Sequence, residues 1–209
     1  MMATLGIAGM CSGLALVGIF LVTEPRIERN RVEALEAAIF QVLRGAQSRQ
    51  AFVLEGTELA AFESSGARLP RQEAVYAGYD EAGRLVGYAI PAEGAGFQDT
   101  IKLIYGYDPG RQRVVGMQVL ESRETPGLGD KILKDEEFLD GFSDLAVVPE
   151  VVAVKKGRSR DNEVDAISGA TISSVAVVRI INAANARWLD RLPDAGDGAG
   201  AGPAGSEAP

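Results

Sequence analysis

The chain has no histidine among its 209 residues. This removes the side chain that titrates nearest neutral pH and most often serves as a general base or metal ligand. No Ser–His nucleophile pair can form. There is one cysteine, Cys11, which excludes internal disulfides and any Cys/His set for zinc or an iron–sulfur cluster. Positive charge is also in deficit, with 21 Lys and Arg against 29 Asp and Glu and a formal net charge of −8. That balance argues against nucleic acid, whose phosphates need a basic face. Redox chemistry, if present, falls to an organic cofactor or a partner.

Residues 2–22 carry no charged side chain. As a helix they would measure about 31 Å, enough to cross a bilayer core. No basic segment precedes them, and Phe20-Leu-Val22 does not resemble a small-residue cleavage site. The run therefore reads as an uncleaved transmembrane anchor and not as a signal peptide. Gly9-x-x-x-Gly13 would let another transmembrane helix approach closely. At the other end, residues 194–209 are nearly all Gly, Ala, Pro and acidic, a composition that cannot bury apolar surface and predicts a disordered, dispensable tail. Gly200-x-Gly202-x-x-Gly205 is no dinucleotide fingerprint, because no strand precedes it and Pro203 interrupts it.

Between the ends, residues 26–44 predict a helix with Val32, Leu35, Ile39 and Val42 on one face. Residues 50–69 are ambiguous, with a short strand at 52–54. Residues 74–79 and 84–90 predict strands flanking the turn Asp80-Glu-Ala-Gly83, and 100–107 and 113–120 flank Asp108-Pro-Gly110. A short helix is expected over 135–145 and a strand over 151–154. Consecutive hairpins with flanking helices make an α+β fold: an antiparallel sheet, preceded by one N-terminal transmembrane helix. There is no alternation of strand and helix, so a doubly wound nucleotide fold is not expected. The organisation reads as an anchor (1–23), a helical linker (24–48), a globular domain (49–193) and the tail.

Two stretches carry chemistry. Asp165-Ala-Ile-Ser-Gly-Ala-Thr-Ile-Ser-Ser174 runs into an apolar face of Val177, Ile181, Ala184 and Trp188, spaced as on a helix. A Gly-containing turn thus delivers Thr171 to a helix N-terminus. Unpaired amides and the positive dipole end would stabilise a phosphate there, although Ser and Thr at such positions are also ordinary caps. The second stretch is Glu124-Thr-Pro-Gly-Leu-Gly-Asp130. Pro126 fixes one backbone angle, and Gly127 and Gly129 permit positive φ, so the loop is shaped and exposes Leu128. The glycines of Ala92-Glu-Gly-Ala-Gly-Phe97 permit close approach to a ligand, or equally make a flexible hairpin connection.

Asp165-x-x-Ser-Gly-Ala-Thr171 resembles the flavin-attachment motif of the FMN-binding domain shared by the G subunit of the Rnf electron transport complex and the C subunit of the sodium-translocating NADH:quinone reductase. Gly87-Tyr-Ala-Ile-Pro-Ala-Glu-Gly94, Ile101-Lys-Leu-Ile-Tyr-Gly106 and Glu124-Thr-Pro-Gly-Leu-Gly-Asp-Lys-Ile132 precede it in order. That order is similar to the family of Rnf G subunits in particular, from the anchor to about Leu189. Where many relatives carry His-Lys before Glu-Thr-Pro-Gly, this chain has Ser122-Arg123, a local change of charge.

The resemblance implies one FMN, esterified through its phosphate to Thr171 by a dedicated flavin transferase, with Ser168, Gly169 and Ala170 leaving room for it. It implies that Glu124, Thr125, Gly127, Leu128 and Gly129 lie against the isoalloxazine ring, with Leu128 as apolar contact and Thr125 or backbone amides as donors. No catalytic residue and no metal are expected. The chain would be a membrane-anchored electron carrier among the other subunits of an Rnf-type ion-translocating ferredoxin:NAD oxidoreductase, and not a dehydrogenase by itself. The alternatives are the C subunit of the quinone reductase and a non-redox anchored scaffold. Arg26, Arg29 and Arg31 follow the span, and the positive-inside rule alone would keep the domain in the cytoplasm. They are interleaved with Glu24, Glu28 and Glu33, and the resemblance places the domain on the periplasmic side of the inner membrane.

Overall fold

The structure is a computed structural model that describes residues 2–55, 58–62 and 73–193, without the side chains of 2–5, 7, 8, 11, 55 and 58. The tail expected over 194–209, with its rejected fingerprint, lies outside the described residues.

One helix, α1 (Met2–Val42), opens the chain. It merges the expected anchor and the helix expected over 26–44 without a break. Pro25 lies inside it and removes one backbone donor. The two halves meet different surroundings. Met10, Leu14, Leu16, Val17, Ile19, Phe20, Leu21 and Val22 are all more than half exposed. From Val32 onward, Leu35, Ala38, Ile39, Val42 and Leu43 are buried against the sheet. The stretch expected as a linker is therefore, in its second half, part of the core. Among the described residues no helix is long and apolar enough to cross a membrane.

The sheet is antiparallel throughout, in the order β2-β1-β3-β4-β5-β6-β7. Its strands are β1 (Ser48–Glu55), β2 (Glu58–Phe62), β3 (Ala74–Tyr79), β4 (Leu85–Ala95), β5 (Thr100–Asp108), β6 (Arg113–Glu121) and β7 (Leu145–Ala146). Both central hairpins turn where expected. The Asp80 carboxylate accepts from the amides of Ala82 and Arg84, each at 2.9 Å, and Asp108 accepts from that of Arg111 at 3.2 Å. The short helix α2 (Glu136–Asp140) is capped by Asp135, which accepts from the Phe138 amide. A separate ladder, β8 (Val152–Val154) with β9 (Glu163–Asp165), is parallel, so the expectation of purely antiparallel pairing holds only for the large sheet. The last helix, α3 (Thr171–Trp188), covers the sheet face opposite α1.

Alternation along the strands builds these three layers. On β5, Ile101, Leu103, Tyr105 and Tyr107 face α3, while Ile104 faces α1. Coverage on both sides explains why β3 is buried at every position. The predicted helical face of Val177, Ile181, Ala184 and Trp188 is wholly buried. Polar contacts then fix α3: the Tyr105 hydroxyl donates to Asn185 Oδ1 at 2.8 Å, and Asn182 exchanges bonds of 3.1 and 2.8 Å with the backbone of Val151. Burial pushes the Tyr105 phenol far above its ordinary pKa, so it stays a neutral donor.

The end of α1 rests in a furrow of glycines crossing four strands: Gly78, Gly87, Gly106 and Gly116. A Cβ on Gly106 would come within 2.5 Å of the Val42 carbonyl oxygen. Gly106→Ala is therefore expected to lift the helix end off the sheet and cost about 3 kcal/mol. At about 2–4 °C per kcal/mol for a chain of this size, the thermal midpoint should fall by roughly 6–12 °C. An unchanged midpoint would mean that the helix end does not sit this close.

Candidate functional site at the start of α3

β9 delivers the chain to a turn of buried Ala166 and Ile167, exposed Ser168 and Gly169, and buried Ala170. Gly169 has φ +82°, which a side chain rarely adopts. The turn is closed by the Ala170 amide donating to the Ile167 carbonyl at 3.0 Å. Buried Ser174 secures it from within the helix: its hydroxyl accepts from the Ile167 amide at 3.1 Å and donates to the Ala170 carbonyl at 3.0 Å.

Ala170 occupies the N-cap position and makes no side-chain cap bond. Thr171 is thus the first helical residue and not the cap. Its side chain is exposed, and its hydroxyl makes no hydrogen bond among the described residues. The first helical bond runs from the Ser174 amide to the Ala170 carbonyl at 2.9 Å. The amides of Thr171, Ile172 and Ser173 therefore have no helical partner, and the positive dipole end stands beside an open hydroxyl.

The Glu124–Asp130 loop faces this turn. The Thr125 carbonyl accepts from the amides of Leu128 at 3.2 Å and Asp130 at 3.3 Å, and Gly127 has φ +77°. The turn so formed pushes Leu128 out to 52% exposure. A Cβ on Gly169 would lie 3.8 Å from Leu128 Cδ2, so the loop tip and the threonine turn are neighbours. Phe97, Ile172 and Val175 are also exposed. Thr171, Ile172 and Val175 share one side of α3, at spacings of four and three.

The structure buries two of the expected contacts, Glu124 and Gly129, and engages the hydroxyl of a third, Thr125. Glu124 is 5% exposed. Its Oε1 accepts from the amides of Phe97 at 2.9 Å and Gln98 at 3.0 Å, and its Oε2 accepts from the Ser173 hydroxyl at 2.5 Å. Burial alone would raise its pKa, but the Ser173 hydroxyl and the amides of Gln98, Phe97 and Asp99 hold it below the ordinary value. The Thr125 hydroxyl donates to Gln98 Oε1 at 3.0 Å. Gly129 is buried, and a Cβ there would meet Glu124 Oε2 at 2.8 Å and Ser173 Oγ at 2.9 Å. Of the remaining expected residues, Gly127, Leu128, Ser168 and Gly169 form the exposed rim around Thr171, and Ala170 lies beneath it.

Two residues that sequence reading missed belong to the site. Ser173 joins the helix start to Glu124. Lys131 Nζ lies 3.5 Å from the Ser168 carbonyl oxygen and 4.0 Å from the position of a Cβ on Gly169. Lys131, Lys134, Lys156 and Phe138 line a groove of about 520 Å³ that reaches Gly127 and Ser168, without Thr171 in its wall. Among the described residues no cluster of His, Cys, Asp or Glu could hold a metal ion.

Residues 96–186, which contain both loops and nearly all of α3, match the FMN-binding domain family. The G subunit of the ion-translocating oxidoreductase complex of Methanosarcina acetivorans is 39% identical over 109 residues, covering 52% of this chain and 55% of that protein. The G subunit of the Na(+)-translocating ferredoxin:NAD(+) oxidoreductase complex of Acetobacterium woodii is 30% identical over 164 residues, 77% of each chain. The chain spans 55% of the Methanosarcina relative's length and 50% of that of a further G subunit from Clostridium ljungdahlii. Among solved structures, NqrC of Shewanella oneidensis superposes with a TM-score of 0.58 at 16% identity, covering 73% of this chain and 91% of that one. The C subunit of the Na(+)-translocating NADH-quinone reductase of Parabacteroides distasonis gives 0.56 at 22% identity, with 77% and 92% covered. These two likenesses show the fold. The family match and the Acetobacterium relative establish the chain's kinship: it belongs to the FMN-binding domain family, alongside the G subunits of ion-translocating oxidoreductase complexes.

Proposed function

We propose that this chain is a membrane-anchored electron carrier that holds one FMN through a phosphoester on Thr171, as a subunit of an Rnf-type complex. The observation that carries this reading is the Thr171 hydroxyl, exposed and unbonded at the first position of a helix whose leading amides have no helical partner. An esterified phosphate at this point has both the hydroxyl it needs and the amides and dipole that stabilise its charge. Lys131 is the nearby cation. The residues present suit a flat apolar ring: Leu128, Ile172, Val175 and Phe97 are exposed around a turn kept open by Gly169.

FMN supplies reversible electron transfer when bound. The chain's own part is to tether, seat and orient it. Thr171 carries the bond, Leu128 offers the apolar contact and the rim amides offer donors. Thr125 contributes through its backbone, because its hydroxyl is engaged by Gln98. Such a carrier needs no acid, base or nucleophile of its own, which accords with a chain lacking histidine. A flavin transferase would install the group, and other subunits of the complex would exchange electrons with it. Mass spectrometry under denaturing conditions tests the reading. One added FMN-sized group per chain is expected, and its absence from protein matured with the transferase would refute it.

The anchor is the uncharged run over residues 2–22. Its described part presents large apolar side chains to the surroundings from Leu14 to Val22, and a bilayer is the medium that would cover them. On this reading the globular domain lies on the periplasmic side. Reporter fusions after Pro193 should be active with a periplasmic reporter and silent with a cytoplasmic one. The reverse pattern would show that the arginines after the run set the topology.

A further inference from the structure

Three separate segments converge on one buried carboxylate. The β4–β5 turn brings the amides of Phe97 and Gln98, the loop after β6 supplies Glu124 itself, and α3 brings Ser173, two residues after Thr171. We propose that Glu124 is the positioning residue of the flavin platform, fixing where the exposed tips Phe97 and Leu128 stand relative to Thr171. The proposal rests on the reading of Thr171 as the flavin-bearing residue.

A group tethered through one threonine side chain can rotate about several bonds, so the tether alone does not orient its ring. Orientation needs a surface, and here that surface comes from two loops and a helix with no continuous backbone between them. Phe97 and Leu128 are 63% and 52% exposed; the Phe97 amide donates to Glu124, and Gly129, next to Leu128, packs against the same carboxylate. Glu124 is no candidate for ring contact, since both of its oxygens are occupied by protein donors and it is only 5% exposed. The fit around it leaves little slack. A Cβ on Gly96 would lie 2.4 Å from its Oε1, and one on Gly129 would lie 2.8 Å from its Oε2. Both loops therefore pack directly on the carboxylate, and the 2.5 Å bond from Ser173 fastens them to the helix that carries the tether. Ionised, the carboxylate accepts all of these bonds at once, each charge-assisted and stronger than a neutral one.

The test uses the full chain, flavinylated in cells, as wild type, Ser173→Ala, Glu124→Ala and Glu124→Gln. Intact mass first establishes the adduct. Flavin fluorescence anisotropy and visible-region circular dichroism then report how firmly the ring is held, with thermal midpoints measured alongside. In Ser173→Ala and Glu124→Ala, anisotropy should fall toward that of the denatured, tethered flavin, and the dichroic band should shrink. Glutamine can still accept from the two amides and donate to Ser173 Oγ, so Glu124→Gln should retain most of both signals. Should Glu124→Ala fail to fold, Ser173→Ala decides, because it removes one hydroxyl and leaves the amide bonds intact. Wild-type anisotropy and dichroism in a loaded Ser173→Ala protein would overturn the proposal while leaving the attachment reading intact. No adduct on the wild-type chain would overturn the attachment reading, and this proposal with it.

Discussion

Thr171→Ala is expected to abolish covalently held flavin while leaving the fold almost untouched. The two halves of that expectation have separate physical grounds. A phosphoester needs a hydroxyl, and alanine has none. Stability should hardly change because the Thr171 hydroxyl makes no hydrogen bond among the described residues, its side chain is exposed, and the helix start is secured by Ser174 and not by Thr171. Reading Thr171 as a cap would have predicted a loss of about 1 kcal/mol. With Ala170 at the cap, the change falls within the roughly ±0.5 kcal/mol of ordinary surface substitutions. Thr171→Ser should keep the adduct. The two flanking hydroxyls are not equivalent substitutes. Ser173 is buried and bonded to Glu124, and exposed Ser168 precedes the helix, on the far side of Gly169. Flavin fluorescence in a denaturing gel, with intact mass as a check, reads the outcome. A Thr171→Ala chain that still fluoresces would move the attachment elsewhere, and Ser168→Ala would then be the next variant to measure.

The placement of Thr171 was legible because a long periodic helix announces itself. Val177, Ile181, Ala184 and Trp188 mark one face, and the Gly-containing turn marks where it begins. The central hairpins were legible for a similar reason, since Asp80 and Asp108 close their turns with bonds to amides only a few residues away. Other features depend on contacts that no local pattern encodes. β7 and β9 are two and three residues long, too short to show a period. The parallel pairing of β8 with β9 joins two short segments across an intervening loop, and Asn182 on α3 holds Val151 beside them. The helix over 26–44 looked like a linker because its apolar face gives no hint of what it meets. The glycine furrow that receives it is spread over four strands. Glu124 shows this most plainly. A charged residue in a Pro/Gly loop reads as exposed, because carboxylates are seldom buried unless paired. Its donors lie 26, 27 and 49 residues away, and only the folded chain brings them together.

That buried carboxylate leads to the largest stability effect expected in the domain. In Glu124→Ala, the buried Ser173 hydroxyl and the part-buried amides of Phe97 and Gln98 lose their common acceptor. A buried donor left unpaired costs about 1–3 kcal/mol, with part-buried ones at the low end, so a total loss of about 4 kcal/mol is expected. The thermal midpoint should drop by roughly 8–16 °C. Glu124→Gln keeps an acceptor for the amides and should lose clearly less. The two variants also separate geometry from charge through pH. Glu124 has a folded-state pKa below the ordinary 4.5. A carboxyl depressed by folding binds its proton more readily in the unfolded chain. Its contribution is therefore fully present above about pH 4.5 and is lost as pH falls through the lower, folded value. Asp80, Glu121, Asp130 and Glu163 are likewise held below their ordinary values, so every variant shares a background of acid sensitivity. Against it, the wild-type midpoint should decline more steeply below about pH 4.5 than that of Glu124→Gln, and the difference between the two should narrow toward acid. Thermal melts of both proteins across the acid range measure this. Parallel curves would show that Glu124 does not enter the folded state as an ionised acceptor, and that the Ser173 bond holds a neutral acid in place.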